Sequence, residues 1–282
     1  MTTLNTDRNP APEPGFHFDM SFPVYRDAPG INASVLKEGR TSMKHLCHAL
    51  ANPKADTPAM KKGRAMHTAL FEASQFQDRY AIWEGDNRRT KAYKEWEAQQ
   101  TKETLTIDEA EEALEAGQEA VKHPLVQEVI AEGRAEVSVF GDEDGNTSKA
   151  RVDWLCGPDY GWNAIVDLKT AANIQRFEFG RQFERLGYQI SLGWYRRRVR
   201  EHIGKDLPVY VIALENHPPY DVVRVPVPEA VLDLGEAQCV EILKHVKACK
   251  EASRWPGICE DDDYDLWFPE HAMPEEEVTF DG

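Results

Sequence analysis

The stretch from residue 135 to residue 169 constrains this chain more than any other part of it. Three short runs rich in Val, Ile, Leu and Trp, at 135–140, 149–155 and 163–169, are separated by two clusters of turn formers. The clusters are Asp142-Glu143-Asp144-Gly145-Asn146 and Gly157-Pro158-Asp159-Tyr160-Gly161. The run Ala150-Arg151-Val152-Asp153-Trp154-Leu155 alternates as a half-buried strand does. Such runs joined by such turns predict a three-stranded antiparallel meander. Its last two strands set Asp153 beside Asp167. Lys169 follows two positions later, so Asp167 and Lys169 point to one face.

Two carboxylates and a lysine so placed suit metal-assisted phosphodiester hydrolysis. Hard divalent ions take oxygen ligands, commonly one or two protein carboxylates completed by water and substrate phosphate. A lysine beside them can stabilise developing charge on phosphorus or orient an attacking water. An Asp-x-Lys tripeptide by itself reads more readily as a surface ion pair, so the surrounding residues have to decide.

Composition narrows the field. The chain has 282 residues, 41% of them apolar, and seven tryptophans, enough for a sizeable core. No apolar run approaches 18 residues, so no membrane partner is expected. Residues 1–14 are polar and proline-rich, without the apolar centre of a secretory signal. Cys47, Cys156, Cys239, Cys249 and Cys259 are scattered and form no Cys-x-x-Cys pair. That argues against a zinc site or disulfide framework and fits a cytoplasmic protein. The net charge of −16 looks unsuited to nucleic acid, but it is unevenly spread. Residues 255–282 hold ten acids and no Lys or Arg, and the preceding 254 residues carry 33 bases against 39 acids. Residues 176–205 hold eight bases against three acids.

Along the chain, residues 1–15 read as a disordered lead, 16–269 as one domain and 270–282 as an acidic tail. An extended segment with a turn at Asp27-Ala28-Pro29-Gly30 leads to Ser34, a candidate N-cap for a helix from Val35. Helices are expected at 41–51 and 60–76, the second with His67 on or beside its apolar face. A charged loop and helix fill 84–104. Thr106-Ile107-Asp108-Glu109 forms a capping box ahead of a helix to Val121. Further helices are expected at 124–132, 177–199 and 229–252, and strands at 207–214 and 222–227. This order predicts one mixed α/β (α+β) domain: a central mixed sheet containing the antiparallel meander, flanked by helices.

Several features gather around the meander: Gly63-x-x-x-His67, Glu136-Val137-Ser138, Lys149-Ala150-Arg151-x-Asp153, Ile165-Val166-Asp167-Leu168-Lys169-Thr170 and Tyr188…Tyr195, after a Tyr25…Pro29-Gly30-Ile31…Ser34 opening. In this order they resemble the PD-(D/E)XK nuclease superfamily, with its restriction-endonuclease-like core, over residues 16–269. More closely they look like the phage and prophage exonuclease VIII (RecE-type) branch, related to the RecB nuclease domain. The resemblance implies a magnesium-dependent exodeoxyribonuclease, with manganese able to substitute. It would resect double-stranded DNA ends, 5′ to 3′, as a homo-oligomeric ring in the host cytoplasm, and pass 3′ single strands to an annealing recombinase.

The same resemblance assigns roles. Asp153 and Asp167 would ligate the metal with the Leu168 carbonyl, and His67 would be a ligand or orient a second metal. Glu136 would be an outer acid, and Lys169 would polarise the water or the phosphate. Tyr188, Gln189 and Tyr195 would brace the site. One departure stands out: the family helix reads Tyr-x-x-Gln-x-x-x-Tyr, whereas here Ser191 holds the glutamine position and Gln189 comes two residues early, about 200° around the helix. Basic residues expected to touch DNA are Arg64, Lys149, Arg151, Arg196 and Arg197, with Arg88, Arg89 and Lys91 beside Tyr93 and Trp96 as a gripping loop. Two rivals remain. One is a structure-specific or Cas4-like nuclease, which the scattered cysteines disfavour because that type holds an iron–sulfur cluster by four cysteines. The other is a DNA-end-binding accessory of the same fold without catalysis.

Overall fold

The computed structural model describes residues 11–53, 56–85, 88–143, 145–260 and 263. Strand β1 (Gly15–His17) opens the chain, so the expected disordered lead gives way to sheet at Gly15, which pairs with Phe140. Residues 1–10 and the acidic tail at 270–282 lie outside the described residues. The segment expected to be extended contains a short helix, α1 (Phe22–Asp27). Helix α2 (Ala33–Glu38) is capped by Asn32, whose side chain accepts from Val35 N, and not by Ser34. Helix α3 (Met43–Ala51) is capped by Ser42. Helix α4 (Pro58–Phe71) has Thr57 as its cap and Pro58 in its first turn, where a missing N–H does no harm.

Next come α5 (Phe76–Arg79), β2 (Tyr80–Trp83), α6 (Lys91–Glu97) and β3 (Glu103–Thr106). β2 and β3 form a separate parallel pair. This pair escapes sequence reading because each strand has four residues, too few to show a period. Helix α7 (Ile107–Lys122) starts at the expected capping box: Thr106 accepts from Glu109 N, and Glu109 accepts from Thr106 N. After α8 (Pro124–Ile130) the meander follows as β4 (Gly133–Glu143), β5 (Asn146–Cys156) and β6 (Ala164–Ala171).

The helix expected at 177–199 is two helices, α9 (Arg176–Arg185) and α10 (Tyr188–Ile203). Gly187 breaks it with a left-handed φ of 65°, a conformation only glycine takes without penalty. β7 (Val209–Glu215), β8 (Val222–Pro226) and α11 (Glu229–Ala252) complete the chain, the last with the bounds its periodicity predicts.

The main sheet has the order β1-β4-β5-β6-β7-β8 and is antiparallel except between β6 and β7. It is therefore the mixed sheet flanked by helices that the element order predicts. One face contributes Val137, Val139, Val152, Ile165, Val209 and Val211 to a core with α2, α3, α10 and α11. The other contributes Val166, Leu168, Ile212 and Leu214 to a core with α4, α7 and α8.

The sheet forks inside the meander. β5 and β6 pair at Cys156↔Ala164, Leu155↔Ile165 and Trp154↔Val166; β6 then continues along β7 as far as Ala171↔Glu215. Asp153 and Asp167 come immediately after the last β5–β6 pair, where the strands part. β4 also breaks its ladder there: Ala135 pairs with Trp154 and Val137 with Val152, but Glu136 between them has a φ of 53°. A left-handed, non-glycine residue inside a strand stores strain of about 1–3 kcal/mol, a feature that clusters at functional sites.

Candidate metal centre

The fork brings together side chains from three elements. His67 from α4, Glu136 from β4 and Asp153 from β5 each offer one ligand atom, all within 4.8 Å of one another. Helix α4 packs its apolar stripe, including Ala65, Met66, Ala69 and Leu70, on the sheet face that carries Leu168. His67 sits on the same helix and meets Asp153, Nδ1 to Oδ2, at 3.3 Å. Their side chains are 20% and 13% exposed. Where the β5–β6 ladder ends, the Leu168 N–H donates instead to Asp153 Oδ2 at 2.9 Å. The side chain thus replaces a strand partner and is fixed by it.

Asp167 lies deeper, with a fully buried side chain, and pairs with the Lys169 ammonium. That contact is close but poorly directed, since neither Asp167 oxygen has a well-formed hydrogen bond. Asp167, expected as a metal ligand, is not one of the trio of close ligand atoms among the described residues. Lys169 reaches the Leu168 carbonyl at 3.5 Å and lies over the Tyr188 ring at 5.1 Å. Lys37 approaches the same ring at 5.8 Å. Tyr195 lines the cleft onto which the site opens, a space of about 1560 Å³ also bounded by Tyr25, Arg64, His67, Glu136, Asp153 and Lys169.

The electrostatics call for a cation. Burial, then the charge of Asp167, pushes the Asp153 carboxyl well above its usual range. Two carboxylates within 4.8 Å repel by about 3 kcal/mol even at an effective dielectric near 20, while Lys169 pairs with Asp167 and Arg151 with Glu136. Burial holds the His67 imidazole below its usual value, against the pull of Glu136, and so keeps it neutral and able to ligate. Lys169 is raised: burial opposes its charge, but Asp167 and Asp153 outweigh that. Burial, reinforced by Asp167 and Asp153, raises the Tyr195 phenol far up, leaving an O–H donor. Imidazole and carboxylate donors lining a cleft, with the buried Asp167–Lys169 pair beside them, fit a hard or borderline divalent ion.

Several sequence expectations need correction. Lys149 does not face DNA: its buried ammonium donates to the carbonyls of Tyr25 at 2.8 Å, Arg26 at 3.1 Å and Ala28 at 2.5 Å. Arg151 turns inward, to Glu136, Ser138 and Met20. Arg196 is 4% exposed and bound by Glu236 and Asp233; Arg197 is paired with Glu143. The α10 arginines expected to touch DNA are therefore engaged in ion pairs with the protein's own acids.

Arg64 lines the cleft but is held by Asp56 and Glu103. Arg88 pairs with Glu109 of the α7 capping box, and Arg89 and Lys91 are not among the cleft residues. Tyr93 and Trp96 pack on each other and on Trp83, which leaves Tyr93 buried and closed to a base. Gln189 is buried and donates to Gln238 of α11 at 3.3 Å, away from the metal centre, as its shifted position on the helix implies. Tyr188 and Tyr195 are at the site.

Several acids that line the cleft were not singled out in the sequence. Glu72, the C-cap of α4, lines the same cleft; it is bonded to Arg79, and its carboxyl is raised by burial. It lies five residues after His67, a spacing that signals no shared helical face.

Comparisons with known proteins agree with this fold. Residues 32–265 match a family described as PDDEXK-like domain of unknown function (DUF3799). No curated protein matches the chain. Among solved structures, a putative exonuclease from Eubacterium rectale superposes with a TM-score of 0.62 at 18% identity, covering 90% of this chain and 96% of its own. Another, SSO0001, has a TM-score of 0.27 at 14% identity, over 73% of this chain and 84% of its own.

Proposed function

The chain belongs to the PDDEXK-like family DUF3799, and from that membership and the geometry of the fork we propose that it is a divalent-cation-dependent nuclease that degrades DNA from its ends. The observation that carries this reading is the convergence of His67, Glu136 and Asp153 within 4.8 Å, beside the Asp167–Lys169 pair. Asp153, Glu136 and His67 would hold the cation, with Asp167 and the Leu168 carbonyl behind them. A bound cation would supply Lewis-acid polarisation of the phosphodiester and a more acidic water; magnesium is the natural choice for an oxygen-rich site, and manganese can stand in for it.

The chain's own groups do the rest. Lys169, kept charged by Asp167 and Asp153 and packed over Tyr188, places an ammonium where charge develops on the phosphoryl oxygens. Its raised basicity favours this electrostatic role over that of a general base. Tyr195 offers an O–H donor from the cleft wall. The finer reading is a RecE-type enzyme acting on duplex ends 5′ to 3′ as a ring, and supplying 3′ strands to an annealing recombinase; it rests on the sequence resemblance. The similarity to a putative exonuclease supports action at ends.

The test is digestion of linear duplex labelled at either end, with covalently closed circles as control and with and without magnesium, using wild type and Lys169→Ala. Wild type should consume the linear DNA only with magnesium, releasing 5′ label first, and the variant should be at least about 100-fold slower. Equal magnesium-dependent activity in both proteins would sink the mechanism, and early loss of 3′ label would sink the polarity. The position of Gln189 favours the non-catalytic accessory as a second reading, and DNA binding without any cleavage in the same assay would select it.

A further inference from the structure

Arg151 sits two residues before Asp153 on β5, where the sequence suggests a phosphate contact. The structure spends it elsewhere. Its side chain is 10% exposed, Nε grips Oε2 of Glu136, and Nη1 donates to Ser138 Oγ and to the Met20 carbonyl, both at 2.8 Å. The guanidinium also lies over the Tyr25 ring at 5.6 Å. Ser138 is fully buried in β4, two residues after Glu136. One arginine therefore joins the acid of the metal centre, the strand that carries it and the N-terminal segment that walls the cleft.

Glu136 needs such a restraint. Its left-handed backbone interrupts the β4 ladder opposite Asp153, so the strand does not hold it in place by pairing. Its neighbour in the trio is an acid, and two carboxylates within 4.8 Å separate unless something opposes their repulsion. A bidentate-capable, always charged guanidinium does this, and a lysine ammonium does it less well because it has no fixed fork.

We propose that Arg151 is a positioning residue, holding Glu136 in the ligand cluster through Ser138 and the Met20 carbonyl, and so setting the cation affinity of the site without touching substrate. This rests on the nuclease reading above. It also makes the Met20–Ala28 segment part of the site, since Lys149 fastens that same segment through three carbonyls.

The experiment is Mn²⁺ titration of the full chain, followed by electron paramagnetic resonance in the absence of DNA. The proteins are wild type, Arg151→Lys, Arg151→Met, Glu136→Gln and the Arg151→Met/Glu136→Gln double variant. Arg151→Met should raise the Kd for Mn²⁺ about 10–100-fold, the range for groups that orient metal ligands. Arg151→Lys should raise it less. The double variant should bind no more weakly than Glu136→Gln alone, because the arginine acts through that carboxylate. With DNA and saturating Mn²⁺, Arg151→Lys should recover most of its turnover with KM for DNA unchanged.

An unchanged Kd in Arg151→Met, multiplicative losses in the double variant, or a raised KM with normal Mn²⁺ affinity would each overturn the proposal; the last would restore the phosphate contact. Should Arg151→Met fail to fold, Arg151→Lys and Ser138→Ala carry the same titration, and normal affinity in both would overturn it. A wild type that binds no Mn²⁺ brings down the nuclease reading as well, so the two failures are told apart.

Discussion

Asp153 shows how much one residue at the fork must reconcile. It accepts the Leu168 N–H in place of a strand partner, faces His67 and has Asp167 close by. Burial raises its carboxyl, so the folded chain binds that proton more tightly than the unfolded chain does. Well below pH 3.8 both states hold the proton; as pH rises through 3.8 the unfolded chain ionises first and the native state loses stability. In chelator, Asp153→Asn should therefore melt at least about 2 °C above wild type at pH 8, with the gap closing toward pH 4. The variant should lose more than about 100-fold in activity, and Mn²⁺ should raise the melting temperature of wild type only. Thermal scans across pH, with and without Mn²⁺, check both signs; a variant less stable than wild type at pH 8 would refute the account. These acids were legible in the sequence because spacing fixes which strand face a residue occupies. Partnership was not: Arg151 and Lys149 read as DNA contacts because nothing local reveals that Glu136 and three backbone carbonyls would claim them.

At the scale of elements, the helices with strong end signals appear where they were expected. The capping box of α7 and the uninterrupted apolar period of α11 are local features, decided within a turn or two of chain. The short strands β1, β2 and β3 were missed because three or four residues are too few to show a period, and each pairs with a segment elsewhere in the chain. α10 crosses α11 at glycines on both helices. A Cβ on Gly235 would lie 1.9 Å from the Gln189 carbonyl oxygen, and one on Gly193 would lie 2.6 Å from Glu236 N. The obstruction is backbone, which has little room to give, so Gly235→Ala should destabilise by about 3 kcal/mol. That lowers the melting temperature by roughly 6 °C or more. A shift below about 1 °C in a thermal scan would show that the helices slide apart freely. Because α10 also carries Tyr188 and Tyr195, the crossing holds part of the site in place.

For the whole molecule, the question is where nucleic acid can lie on a chain with a net charge of −16. The Arg196–Arg200 run supplies little: Arg196 and Arg200 meet Glu236, and Arg197 and Arg198 meet Glu143. Substituting Arg197 by Ala should leave the salt dependence of DNA affinity unchanged and cost about 1 kcal/mol of stability or less. Loss of a true phosphate contact would flatten the slope of log affinity against log salt by about one, which a binding titration across salt concentrations resolves. No helix of the described residues is long and apolar enough to cross a membrane. The positive groups that do line the cleft, among them Arg26, Lys37, Lys102 and Lys169, lie on separate segments and form no run in the sequence.

The sequence by itself determined the meander, the mixed sheet with helices on both faces, and the strands on which Asp153, Asp167 and Lys169 lie, because period, turn formers and two-residue spacing act over a few bonds. The tertiary structure alone decided that the sheet forks at Asp153 and Asp167, that His67 and Glu136 close on Asp153, and that the basic residues of β5 and α10 face inward. Those outcomes depend on the pairing of segments tens to more than a hundred residues apart. There, the desolvation of each charge and the partner available to it outweigh any preference written locally in the chain.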